Sequence, residues 1–223
     1  MRVFSDYAKD VCIRYTVFMP SLMDGFKDYL LGRIDTEKKL LSEDGGVYVD
    51  GRRIYNVSRS VVAELALLYL DEILSYERSP QVLEIGGGEG NAIRALIESG
   101  RISPRNITMT SLTGLSAHKE LKAKGVKVYT GVVVERLPKQ WTNKFHLVMA
   151  SAVLQWAESS EAVQEIYRVL KSGGLIVGFD ARPTVASVEV AARDLGMTNV
   201  LESYDSSEWS ERASGLVPFV LQK

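Results

Sequence analysis

The sequence predicts an α/β fold: a mostly parallel, seven-stranded sheet with helices on both faces, preceded by a mainly helical N-terminal cap. Three observations predict it. From about Gln81 onward, short apolar runs alternate with stretches of helical periodicity, the pattern of strands joined by crossover helices. Several of those runs are apolar on both faces, as strands covered on each side should be. The first of them passes directly into a glycine-rich turn and a helical pattern, "QVLEIGGGEGNAIRAL" (81–96).

Taken in order, the first 80 residues differ in kind from the rest. Leu22, Phe26, Leu30 and Ile34 recur every fourth residue, which predicts a helix. In "VYVDGRRIYN" (47–56) the Asp50-Gly51 pair stands between strand-forming residues and predicts a hairpin with a two-residue turn. "SVVAELALLYLDEIL" (60–74) reads as a long apolar helix that feeds the sheet. The expected strands are "QVLEI" (81–85), "NITMTSL" (106–112), "VKVYT" (126–130), "HLVMAS" (146–151) and "GLIVGFD" (174–180). Between them, Ile93, Leu96 and Ile97 share one helical face, with Gly100 as the stop. Val163, Ile166 and Leu170 share another, with Gly173 and Gly174 expected to end that helix in the left-handed manner. A further helix near 186–195 should end at Gly196, and "NVLESYDS" (199–206) and "GLVPFVLQK" (215–223) supply two closing strands.

With 223 residues, the chain fits a cap at 1–60 and an α/β domain at 61–223. The 46% hydrophobic and 25% charged fractions are those of an ordinary globular protein. A net charge of −1 without blocks of like charge does not support nucleic-acid binding through a broad basic face. Cys12 is the single cysteine, so no intramolecular disulfide forms, and His118 and His146 have no metal-ligand spacing. No metal is expected. Charged residues interrupt the apolar residues of the N-terminus, and no run approaches the ~18 apolar residues that span a bilayer. These features predict a cytoplasmic protein with no membrane contact. Oligomeric state is left open between a homodimer and a complex with a partner protein.

The glycine turn narrows the ligand. A triphosphate loop needs Lys and a hydroxyl residue after its last glycine, but Asn91 and Ala92 follow Gly90. A dinucleotide fingerprint counted from Gly86 and Gly88 places Asn91 where its third glycine belongs, which disfavours a nicotinamide enzyme. What stands is Glu84 followed by Gly86, Gly88 and Gly90. An acid there suits a ligand bearing ammonium or hydroxyl groups and repels a pyrophosphate.

Four segments in order, "LEIGGGEG", "GVKVYTGVVVERLP", "KFHLVMASAVLQWAE" and "IYRVLKSGGLIVGFD", resemble the class I S-adenosylmethionine-dependent methyltransferases, with Gln155-Trp156 similar to the small-molecule branch. The resemblance covers roughly residues 60–180 and implies a Rossmann-like sheet, S-adenosyl-L-methionine as cofactor and a small-molecule substrate. It implies that Glu84 orients the cofactor's amino group and that Gly86, Gly87, Gly88 and Gly90 admit it to bare backbone. Ser111, Leu112, Val132, Val133 and Ser151 complete the implied cofactor set. Two positions depart from the family. Ser111 stands where an acidic residue usually binds both ribose hydroxyls, and Val132 stands where an Asp usually meets the adenine amino group. These departures keep open a non-catalytic relative that serves as a binding or regulatory protein. Gln155, Trp156, Tyr15 and Phe18 are the candidate substrate contacts. The aromatic and methionine series from Tyr7 to Tyr29 reads mostly as core between cap and sheet. His146, at the start of its strand, is expected to be packed or at the rim, and His118 on a solvated helix face. No catalytic base is assigned.

Overall fold

The computed structural model describes residues 47–49, 52–55, 59–112, 114–201 and 216–223. The predicted helix at 22–34, the series from Tyr7 to Tyr29, Cys12, Tyr15 and Phe18, and with them the helical cap, lie outside the described residues. The chain divides into two compact units, Met1–Asn56 and Val57–Lys223. In the first, β1 (Val47–Val49) and β2 (Arg52–Tyr55) pair antiparallel with Val49 opposite Arg52. That register leaves two residues for the turn, the spacing expected around Asp50-Gly51.

The second unit opens with α1 (Arg59–Tyr76), an 18-residue helix free of Gly and Pro. There follow β3 (Val82–Ile85), α2 (Asn91–Glu98), β4 (Ile107–Ser111), α3 (Ala117–Ala123), β5 (Lys127–Thr130) and β6 (Phe145–Ser151). The chain continues through α4 (Ser159–Val169), β7 (Leu170–Asp180), α5 (Arg182–Asp194), β8 (Thr198–Asn199) and β9 (Val217–Gln222). The seven strands lie in the order β5-β4-β3-β6-β7-β9-β8. Strands β3 to β7 run parallel, and β9 is antiparallel to both of its neighbours.

Alternation along the strands builds a core on each face of the sheet, because successive side chains point to opposite sides. Val82, Met109, Leu147 and Val177 pack with Leu65, Leu70 and Ile73 of α1 and Ile93 and Leu96 of α2. Leu83, Val148 and Ile176 pack on the other side with Val163 and Ile166 of α4 and Val185 and Val188 of α5. Burial of strands on both faces is why they read as apolar runs rather than as an alternation.

One expected boundary is corrected. Helix α4 ends at Val169, before Gly173 and Gly174, and Leu170 already belongs to β7. Gly173 is left-handed (φ 74°), but it lies within the strand. The carbonyls left over at the helix end, which a glycine cap would satisfy, are taken by distant groups instead. Lys223 Nζ donates to the carbonyls of Tyr167 and Leu170 at 2.8 Å each, and the amides of Asn143 and Lys144 donate to Arg168 and Val169. The first closing strand is also short: β8 spans Thr198–Asn199, and the residues expected to extend it beyond Leu201 lie outside the described residues.

Gly178 marks the tightest point of the sheet. A Cβ there would collide with the Ala150 carbonyl of β6 and lie 2.8 Å from the Phe219 ring of β9. Gly178→Ala should therefore destabilise the domain by about 1–3 kcal/mol or more, seen as an earlier urea midpoint at unchanged slope.

Candidate active site

Strand order reverses between β3 and β6, with β4 and β5 on one side and β7 on the other. In open α/β sheets the crevice at such a switch point, outside the carboxyl ends of the strands, is where ligands bind. Two loops meet there. The glycine turn leaves β3, and the segment after Ser151 leaves β6. They touch closely enough that a Cβ on Gly86 would lie 2.5 Å from Val153 Cγ2.

The glycine turn is tied down by β4. Gly86 N donates to Thr110 Oγ1 at 3.2 Å and Gly87 N to the Thr110 carbonyl at 3.0 Å. A Cβ on Gly87 would come within 2.5 Å of Glu84 Oε2 and 2.9 Å of Met109 Cγ, so the turn lies directly on the acidic side chain. Gly88 is left-handed (φ 51°), and among the described residues beyond its chain neighbours no atom lies within 4 Å of where its Cβ would be. Here the glycine answers a backbone requirement, and the peptide faces open space.

Glu84 shares a strand face with Val82 and is only 7% exposed. Its Oε2 has no hydrogen-bond partner among the described residues. Burial pushes its pKa up to about 8, because removal from water penalises the ionised form. Asp180, which closes β7, is equally buried but fully employed. Its Oδ2 accepts from the amides of Leu154 (2.9 Å) and Gln155 (3.3 Å), and its Oδ1 from that of Ala181 (2.8 Å). Burial raises its pKa to about 6, with those amides opposing the rise. Asp180 thus fixes the loop after β6, in which Ala152 is left-handed (φ 46°).

On the other side of β3, Ser111 is buried at the end of β4, and its carbonyl accepts from Gly131 N at 2.9 Å, joining the loops after β4 and β5. Leu112 and Val133 leave those loops 43% and 40% exposed, which is unusual for large apolar side chains in a packed domain.

Comparison with known proteins agrees with this geometry. Residues 83–178 match the model of a methyltransferase domain. The matched segment runs from β3 into β7 and contains the glycine turn. The 2-methyl-6-phytyl-1,4-hydroquinone methyltransferase 2 of Oryza sativa subsp. japonica, a chloroplastic protein, is 30% identical over 105 residues, which cover 45% of this chain and 29% of that relative. This chain therefore matches less than a third of that relative's length. Among solved structures, the [4+2]-cyclase SpnF superposes with a TM-score of 0.58 at 16% identity, covering 89% of this chain and 94% of the other. The carbon methyltransferase CurJ gives 0.56 at 15% identity, covering 74% and 53%. These likenesses establish the fold.

In the matched segment, the residues singled out from the sequence fall into two groups around β3. Glu84, Gly86, Gly87, Gly88 and Gly90 form the turn itself. Ser111, Leu112, Val132 and Val133 lie on the β4 and β5 side, and Ser151, Gln155 and Trp156 follow β6. Gln155 is held by its own amide on Asp180 and by Nε2 donating to the Ala152 carbonyl at 3.3 Å. His146, expected to be packed or at the rim, is packed: it is buried near the start of β6. Its Nδ1 accepts from Gln81 N at 3.0 Å, and its Nε2 lies 3.3 Å from Glu77 Oε2. Burial, with Lys171 beside it, pushes its pKa down. His118 is a correction: it is 3% exposed rather than solvated, because its ring turns inward onto the glycine turn. Asp180 was visible as the last residue of an expected strand, but nothing local in the sequence indicated that three amides converge on it.

Two outcomes follow from the buried carboxylates. In Asp180→Asn the new NH2 meets a backbone donor, so the amides of Leu154 and Gln155 should exchange faster with solvent and stability should fall by about 1–3 kcal/mol. For Glu84, the folded pKa lies above the unfolded value of 4.5. The folded chain therefore holds a proton that the unfolded chain has released, and stability is lost as pH rises from about 4.5 to 8. Glu84→Gln should then stabilise more at pH 8 than at pH 5, by on the order of 1–3 kcal/mol; urea titrations that show the same difference at both would contradict this.

Proposed function

We propose that the chain is an S-adenosylmethionine-dependent methyltransferase that acts on a small molecule. The observation that carries this reading is Glu84: an unpartnered, buried carboxylate under a turn of exposed, side-chain-free peptide at the switch point of the sheet. A buried anion without a partner is unfavourable unless a ligand supplies the cation, and the amino group of the cofactor is such a cation. The residues present fit the cofactor elsewhere too. Exposed Leu112 and Val133 offer apolar contact for a base, and the peptide of Val132 and Val133 offers polar groups for its edge. Ser111 provides a hydroxyl for the ribose in place of the usual carboxylate.

When bound, the sulfonium supplies an electrophilic methyl group for in-line transfer. The chain's contribution is alignment and exclusion of water. Gly86 to Gly88 let the backbone approach, Asp180 keeps the loop after β6 in one conformation, and that loop presents Gln155 and Trp156 toward an acceptor. Tyr15 and Phe18 remain part of the proposed substrate set, and the protein is proposed to work in the cytoplasm. The rice relative, named for its action on a hydroquinone, supports a small acceptor.

A second reading, a methyltransferase-like protein that binds or regulates without catalysis, draws on Ser111 and Val132 in place of the family's acids. Titration calorimetry with S-adenosylhomocysteine separates the two. The methyltransferase reading expects saturable binding that Glu84→Gln weakens at least about tenfold. At pH 7 binding should also release close to one proton, because a carboxyl with a pKa near 8 must ionise to pair with the ammonium; buffers of different ionisation enthalpy report that number. No binding heat at millimolar ligand would refute this reading. Affinity that appears only in Ser111→Asp would favour the second.

A further inference from the structure

His118 stands in the first turn of α3, and its ring bridges two loops. Leu115 N–H donates to Nδ1 at 3.3 Å, which makes Nδ1 the nitrogen without a proton. Nε2 then carries the proton of the neutral ring and donates to the Gly88 carbonyl at 2.7 Å. The ring therefore spans from the segment after β4 to the middle of the glycine turn, 30 residues away in the chain. Among the described residues beyond its chain neighbours nothing lies within 4 Å of the Gly88 Cβ position, so the His118 ring is the side chain seen to hold this peptide.

The hydrogen bond also fixes what the turn presents. In a trans peptide the carbonyl and the following N–H point in opposite directions. A Gly88 carbonyl drawn toward His118 sends the Glu89 N–H away from it. Neither that N–H nor the N–H of Gly88 has an acceptor among the described residues. The turn is thus held with two backbone donors unspent.

Resting on the methyltransferase reading, we propose that His118 is a positioning residue for the cofactor: its Nε2–H locks the Gly88–Glu89 peptide so that the turn's free backbone donors are ready for a ligand acceptor. It touches neither the methyl group nor the acceptor molecule. Its effect is on cofactor affinity and not on the chemical step.

Three variants separate this role from simple packing. His118→Phe keeps a ring but has no donor. His118→Gln places an amide N–H near the position of Nε2, whereas the shorter amide of His118→Asn reaches only that of Nδ1. S-adenosylhomocysteine affinity should fall about tenfold or more in the Phe variant, recover largely in Gln and stay low in Asn. The KM for cofactor should rise in parallel while kcat at saturation changes little. Nitrogen NMR of the wild-type imidazole should place the proton on Nε2. The Gly90 amide, bonded to the Gly87 carbonyl at 2.7 Å, should exchange faster in the Phe variant. Phe affinity within twofold of wild type, rescue by Asn equal to that by Gln, a proton on Nδ1, or unchanged Gly90 exchange would each overturn the proposal. If the wild-type protein binds no S-adenosylhomocysteine, the methyltransferase reading itself fails, while the tautomer and the exchange rates still decide whether the bridge exists.

Discussion

A carboxylate can stay in an apolar layer without a partner only where the surrounding packing leaves the strand that bears it no alternative position. Glu84 is held in this way. Its strand is the centre of a parallel sheet, hydrogen-bonded to β4 on one side and β6 on the other, and its flanking residues Leu83 and Ile85 are buried in the opposite core. Slipping β3 by one residue would only carry Glu84 into the opposite core and Leu83 and Ile85 out of it. The penalty of the orphan carboxyl is thus supported by hydrophobic burial on both faces, and the chain moderates it by keeping the group protonated.

The rest of the candidate site depends on the same principle applied to loops. The segments at the carboxyl edge are each tied by a polar group reaching from a neighbouring element. Thr110 holds the start of the glycine turn and His118 its middle, while Asp180 holds the segment after β6. The Gly131 amide on the Ser111 carbonyl joins the remaining pair of loops. Such ties are short, directional and buried, so they preserve backbone conformation without placing bulk over the crevice.

How much of this was legible in the sequence follows from which interactions are local. Parallel strands are readable because burial on two faces leaves an apolar run, and the helices because their core faces repeat at the proper interval. The glycine turn was readable because backbone without side chains has few uses at the end of a strand. The end of α4 was not, because its last carbonyls are satisfied by Lys223, Asn143 and Lys144 and not by the nearby glycines. His118 was misread for the same reason: a histidine on a short polar helix resembles a solvated one until a carbonyl 30 residues earlier is known to lie beside it.

The contrast between the two buried acids bears on how the site divides its work. Asp180 ends β7 and Glu84 stands one residue before the end of β3, and both lose their hydration, yet backbone amides converge on one and avoid the other. Amides converge on Asp180 because Ala152 turns left-handed and brings the following residues back over the end of β7. They avoid Glu84 because the first residues of its own turn donate instead to Thr110. Had Gly86 and Gly87 curled inward onto Glu84, the carboxylate would be satisfied and the crevice closed by the chain itself. Thr110 therefore does more than anchor a loop. By taking up those amides it leaves Glu84 without backbone donors, so the acid is kept available.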